Sequence, residues 1–283
     1  MAMIREPGSP YGLPSDLRPG TDSYPVRPVG PWAIEKLDYL RGYALIFNRG
    51  MKNRWQSRIY LDLFSGPGRN WVRLRSREIE GSPLIAVNCP EPFTSFVFND
   101  LEPISVQALQ DRLASLGIQA EYLNYECNDP QLIDKVQALI APTALSFAFI
   151  DPTKWQIRFR TLEALTRNRR MDLLITFHTG SIKRVATRWP QVLDDFFGGS
   201  EWRIEYQRAF VSGLRQVSRV LLDLYEKKLH SIGYLDVDDH VLIRNTKSVP
   251  LYHLIFASKH RRGLDFWRAS TTRDPSGQAR LFT

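Results

Sequence analysis

Residues 60–70 run Tyr60-Leu61-Asp62-Leu63-Phe64-Ser65-Gly66-Pro67-Gly68-Arg69-Asn70. The apolar run from residue 58 to 64 predicts a strand buried on both faces. It breaks into a loop in which two glycines flank a proline. Glycine lets a backbone adopt positive φ and approach a ligand closely, and proline stiffens the turn. A loop of this kind at the mouth of a buried strand is either a ligand-binding loop or a plain tight turn.

The same unit recurs downstream. Apolar runs at 95–98, 120–123, 145–150 and 172–177 predict four more strands. Helical patterns lie between them at about 82–88, 102–117, 131–140 and 160–166. The first opens on Ser82-Pro83, with Ser as cap and Pro in the first turn. Ahead of the first strand, Ala33, Leu37, Leu40, Ala44 and Phe47 fall at spacings of three and four after Pro31, and Gly50 is a plausible stop. Alternating strands and helices with continuously apolar strands give an α/β fold: a mostly parallel sheet covered by helices. The rhythm breaks at about 181–231, a long helical passage carrying Trp189, Phe196, Phe197 and Trp202. Two strands follow, roughly 241–245 and 251–257, and their short link predicts a C-terminal antiparallel hairpin at one end of the sheet. Residues 1–31 are crowded with Pro and Gly and predict an extended or mobile arm ahead of a single domain spanning 32–283.

Composition narrows the function classes. The 283 residues are 43% hydrophobic and 24% charged, an ordinary globular profile. No apolar run approaches the roughly 20 residues of a membrane span, and a soluble cytoplasmic protein is the expectation. Two cysteines, Cys89 and Cys127, are far apart and lack metal-ligand spacing. The net charge of +8 favours acidic partners, nucleic acid above all, and equally describes a set of solvated helix faces.

In open α/β sheets, ligands bind beyond the carboxyl ends of the strands, where strand order reverses. The Gly66-Pro67-Gly68 loop stands at that edge. No Gly-Lys-Ser/Thr follows it, so it is not a phosphate-binding P-loop, and the three spaced glycines of a dinucleotide fingerprint are absent. Ser65 lacks the Gly-x-Ser-x-Gly elbow of a hydrolase. The second strand ends in Asn99-Asp100, where a carboxylate either accepts from a ribose diol or caps the next helix. The stretch 124–128 after the third strand is placed to meet an adenine amino group. The fourth strand ends in Ile150-Asp151-Pro152, followed by Thr153-Lys154-Trp155. Asp151 can accept from an amino nitrogen about to be alkylated, and Trp155 can stack on a flat substrate; Asp-Pro is also a common way to end a strand. His178, just past the fifth strand, is the remaining catalytic candidate.

These segments, with "GSPLIAV" (81–87), "FAFIDPTKW" (147–155) and "LYHLIFASKHRRGLDFW" (251–267), resemble the three-Cys-motif partner family, TcmP, over about residues 32–268. The resemblance implies a Rossmann-like fold of the S-adenosylmethionine-dependent methyltransferase type and a link to a separate protein that carries the Cys motif. It implies that Asp62, Phe64, Gly66 and Gly68 form the loop facing the methionine part of S-adenosylmethionine, that Asp100 takes the ribose, and that Glu126 takes the adenine side. Asp151-Pro152 is similar to the Asp-Pro-Pro-aromatic motif of enzymes that methylate amino groups of nucleic-acid bases, with Thr153 in place of the second proline. Two functions stay open: a methyltransferase acting on a base amino group, with Asp151, Pro152, Trp155 and His178 at the reaction, or a non-methylating subunit that binds a nucleotide or nucleic acid.

Overall fold

The computed structural model describes residue 14 and residues 16–272. Its central sheet has seven strands: β3 (Arg58–Asp62), β6 (Ser95–Asn99), β7 (Glu121–Leu123), β8 (Leu145–Ile150), β9 (Arg170–Phe177), β10 (Asp236–Arg244) and β11 (Pro250–Ser258). Their spatial order is β10-β11-β9-β8-β3-β6-β7. β3 pairs in parallel with β6 and β8, and β7 and β9 continue the parallel set outward. β11 is antiparallel to both β9 and β10 and lies between them. This is the mostly parallel, Rossmann-like sheet that the resemblance implied, with the antiparallel hairpin at its end.

Alternation along the strands sorts the core into two layers. Leu61, Ala148, Leu173 and Ile175 face α4 (Pro130–Leu139), α5 (Phe159–Thr166) and α9 (Leu214–Ser231) in one apolar cluster. Their neighbours Tyr60, Phe147, Phe149 and Leu174 face α1 (Trp32–Met51), α2 (Ser82–Val87), α3 (Pro103–Ser115) and α10 (Arg261–Thr272) in the other. Tyr43 of α1 packs on Phe256, whose ring stacks on Trp267 of α10 with centroids 5.2 Å apart and 9° between planes. Gly50 does not stop α1, which runs on to Met51. A Cβ at Gly50 would lie 2.3 Å from the Phe266 ring of α10, so this glycine makes room for a helix crossing. Likewise Gly81, not Ser82, caps α2, and the Ser82 hydroxyl bonds the Asp62 carboxylate instead.

The passage between β9 and β10 is helical: a turn at Thr179–Ser181, then α6 (Ile182–Arg188), α7 (Pro190–Phe197), α8 (Trp202–Phe210) and α9. A second, four-stranded sheet was not foreseen. Its strands β1 (Arg18–Pro19) and β2 (Pro25–Val29) come from the arm, and β4 (Arg69–Val72) and β5 (Arg77–Glu80) from the stretch after the glycine loop, in the order β1-β2-β4-β5. The described part of the arm is therefore extended and docked. Arg112 of α3, itself buried, clamps it: the guanidinium donates to both Asp22 oxygens at 2.8 Å, to the carbonyls of Tyr24 and Pro25, and to Pro67 of the glycine loop.

Candidate functional site

β3 lies between β6, reached by a crossover on one side, and β8 on the other, so strand order reverses at its carboxyl end. The loop that leaves β3 is pinned from below. Asp62 accepts the Phe64 N–H at 3.1 Å and bonds the Tyr60 and Ser82 hydroxyls. It is fully buried, and burial, reinforced by the nearby Asp151 charge, pushes its carboxyl up to about 7. Asp62 thus shapes the loop from inside, and its side chain faces the Tyr60 and Ser82 hydroxyls. Asn99, not singled out in the sequence, ties the neighbouring loops: its amide donates to the Leu63 and Tyr125 carbonyls and accepts the Tyr125 N–H.

Above the loop lies a cavity of about 230 Å³, with Arg27, Lys36, Phe64, Gly66, Asp151 and His178 in its wall. Gly66 has φ +60°, and the side of its Cα where a Cβ would project meets only the Arg27 guanidinium, at 3.4 Å. Across from it, Asp151 accepts the Thr176 hydroxyl at 2.6 Å and forms an ion pair with Lys36 of α1. That pair is largely shielded, with side-chain exposures of 13% and 21%, and the ammonium also sits 5.2 Å over the Tyr252 ring. The Pro152 carbonyl accepts from His178 Nε2 at 2.8 Å. Burial lowers the pKa of His178, favouring the neutral ring, so Nε2 carries the proton and Nδ1 is the free acceptor.

The structure therefore gathers Phe64, Gly66, Asp151, Pro152 and His178 round one cavity. It separates the others. Gly68 packs on α3, where a Cβ would come 2.8 Å from Leu109. Glu126 caps its own turn, accepting the Asn128 N–H at 2.8 Å and the Asn128 side chain at 2.9 Å. Trp155 corrects the sequence expectation of a stacking platform. It is buried, donates its indole N–H to Ser181 at 2.8 Å, and meets Phe177 and Phe196 edge-on, with centroids 5.1 and 4.7 Å away. Its ring anchors the loop after β8 to the helical passage. Lys36, Thr176 and Arg27 were missed. Only Lys36 left a signal, as a cation beside Leu37 in the apolar stripe of α1.

Asp100 is divided. One oxygen accepts the Gly66 N–H at 2.7 Å and lies 3.4 Å from Arg27; the other accepts the Glu102 N–H at 3.0 Å. A carboxylate has about four acceptor directions, so capacity for a diol remains, but Arg27 stands between Asp100 and the cavity. Two observations fit the cofactor implied by the sequence. The bare face of Gly66 is a cradle, and the buried Arg27 Nε beside it has no hydrogen-bond partner among the described residues, a donor suited to a carboxylate. The cavity is smaller than the roughly 300–1,000 Å³ of small-molecule sites, so full occupation requires the Arg27 side chain to shift. Among the described residues no cluster of His, Cys, Asp and Glu could hold a metal, and no helix is long and apolar enough to cross a membrane.

No family model matches this chain, and no curated protein does. Solved structures do. TYW2 of M. jannaschii, in complex with AdoMet, is 8% identical, covering 85% of this chain and 84% of its own, with a TM-score of 0.45. Protein LPL1258 of Legionella pneumophila is 11% identical over 86% of this chain and 94% of its own, with a TM-score of 0.46. A S-adenosylmethionine-dependent methyltransferase from Clostridium acetobutylicum is 16% identical over 54% of this chain and 56% of its own, with a TM-score of 0.34. At such identities and overlaps the likeness is one of fold, and substrate and residue roles rest on the site itself.

Proposed function

We propose that this chain is an S-adenosylmethionine-dependent methyltransferase acting on an amino group of a nucleic-acid base, in association with a Cys-motif protein of the kind the TcmP resemblance implies. The observation that carries the reading is the Asp151-Pro152 pair at the end of β8, facing the glycine loop across one cavity, with the carboxylate fixed by Thr176 and Lys36. S-adenosylmethionine supplies an electrophilic methyl group when bound. Arg27, the Gly66 backbone and Asp100 would hold it. Asp151 would accept an N–H of the substrate amine, aim the nitrogen lone pair away from itself, and take up the proton released once the nitrogen is alkylated. Lys36 keeps that carboxylate compensated, and neutral His178 holds the Pro152 carbonyl in place. Methyl transfer needs little more than such positioning.

A second reading, a non-methylating nucleotide- or nucleic-acid-binding subunit, is favoured by one feature: Arg27 covers Asp100 and leaves a small cavity. Calorimetric titration with S-adenosylmethionine separates the two. The methyltransferase reading expects binding by the wild type and a loss of about 10- to 150-fold in Arg27→Ala, the worth of one charge-assisted hydrogen bond. Asp151→Asn should keep cofactor binding and lose transfer of labelled methyl groups to nucleic acid. A folded wild type that does not bind S-adenosylmethionine sinks the first reading.

A further inference from the structure

We infer that a second, larger cavity, between α6, α9 and the β10–β11 hairpin, is a binding cleft for a single nucleic-acid strand, with phosphates on its α6 rim and bases over its apolar floor. The cavity measures about 1290 Å³, beyond the roughly 300–1,000 Å³ of small-molecule sites and suited to an extended chain. Five cations line it (Lys183, Arg184, Arg188, Arg219 and Arg244) against one carboxylate among the described lining residues, Glu35.

The cations are not equivalent. Arg219 is compensated by Asp223 and Asp239, and Arg244 is tied to the Ser248 carbonyl. The side chains of Arg184 and Arg188, by contrast, are exposed and make no ion pair or hydrogen bond among the described residues. They stand four apart on α6 and so project from one face. Lys183, beside them, lies 5.5 Å over the Phe210 ring. The floor is of opposite character: Val217, Leu222, Val241 and Leu242 are apolar, and His253 stays neutral because burial lowers its pKa to about 4. A cationic rim over an apolar floor matches a ligand with anionic and flat apolar parts in alternation, which is a single strand. A purely acidic peptide would leave the floor unfilled. At the end of α6, Trp189 follows Arg188 directly and is 47% exposed, a platform on which a base can stack.

The cleft is also next door to the Asp151 cavity. Three pairs of consecutive residues divide between the two walls: Lys36 and Glu35, His178 and Thr179, Tyr252 and His253, the first of each pair facing Asp151. A strand seated in the cleft lies across these residue pairs from the Asp151 cavity. The inference deepens the proposed reading by placing its substrate, and strand binding itself does not depend on methyl transfer.

The test is fluorescence anisotropy of a labelled single-stranded oligonucleotide with the full chain, titrated over a range of salt. The comparison is Arg184→Ala/Arg188→Ala against Arg54→Ala/Arg75→Ala, exposed cations that do not line the cleft. Two lost phosphate contacts should lower the slope of log K against log salt by about 1.4 and weaken binding about tenfold or more at low salt. The control pair should leave the slope unchanged, and both double variants should melt as the wild type does. Equal slopes in the two variants overturn the cleft, as does a poly-glutamate chain competing as well as the oligonucleotide. Strand binding through the cleft without any methyl transfer sustains this inference and removes the methyltransferase reading. Methyl transfer with an unchanged KM for nucleic acid in Arg184→Ala/Arg188→Ala does the reverse.

Discussion

Replacing Asp62 with asparagine should change how stability depends on pH, by an amount the site itself sets. Asp62 is fully buried, and its carboxyl is pushed up to about 7 from an ordinary value of 3.8, chiefly by loss of solvation. The folded chain therefore holds this proton more tightly than the unfolded chain. The stabilisation from that proton is complete below pH 3.8 and is lost as pH rises through about 7. At about 1.4 kcal/mol per pH unit the full swing is about 4 kcal/mol, of which about 2 kcal/mol falls between pH 5 and 7. The amide introduced by Asp62→Asn would keep the acceptor for the Phe64 N–H and present a donor to the Tyr60 and Ser82 hydroxyls, without a titrating proton. Asp172, whose carboxyl burial raises to about 6, and the depressed His178 and His253 titrate in both proteins and cancel in the difference. Urea denaturation followed by tryptophan fluorescence at constant ionic strength, at pH 5, 6 and 7, gives the two curves. Wild-type stability should fall by about 2 kcal/mol more than that of Asp62→Asn over this interval. Parallel curves would refute the reasoning, because they would mean that Asp62 stays ionised beneath the glycine loop.

Arg112→Met should cost about 1–3 kcal/mol, because it leaves three carbonyls and the partly exposed Asp22 carboxylate without their shared donor. Limited proteolysis should then cut within residues 18–29 first, and a variant as stable and as resistant as the wild type would show that the clamp is idle. Trp155→Ala should destabilise by about 3–5 kcal/mol through the hole left beside Phe177 and Phe196. Unchanged stability with lost activity would restore the stacking role that its burial argues against.

The parts of the fold that were legible are those whose signal is local. Residues 145–150 are apolar at every position but Ser146, so their burial on both faces was readable, and β8 spans the same six residues. Pro103 and Gly117 bracket α3 in the sequence as they do in space. β4 and β5 carry Arg69-Asn70 and Arg77-Glu78 and show no alternation. Their pairing is with each other and, for β4, with β2, some forty residues earlier and containing Pro25 and Pro28. The cationic start of α10, Arg261-Arg262, hid a helix whose Leu264 and Trp267 complete the core under α1. Sequence shows an aromatic its chain neighbours and not its spatial ones, which is why Trp155 was read as a platform when Ser181, Phe177 and Phe196 enclose it.

The site divides along the same line, and the division says something about how it is built. Asp151 could be found because a strand end is a local feature, while what fixes it comes from far away: Lys36 lies 115 residues earlier and Thr176 lies 25 later. Arg27 reaches Asp100 across 73 residues, and Arg112 joins Asp22 to the glycine loop across 90 and 45. Three of these four ties start in residues 22–36, ahead of the first strand of the main sheet. The glycine loop and the Asp-Pro carboxylate therefore take part of their shape from a segment outside the strand–helix units that present them. Substitutions in that segment should act on the site as directly as substitutions in the loops, because each removes a donor (Arg27, Lys36) or an acceptor (Asp22) that nothing in the parallel sheet replaces.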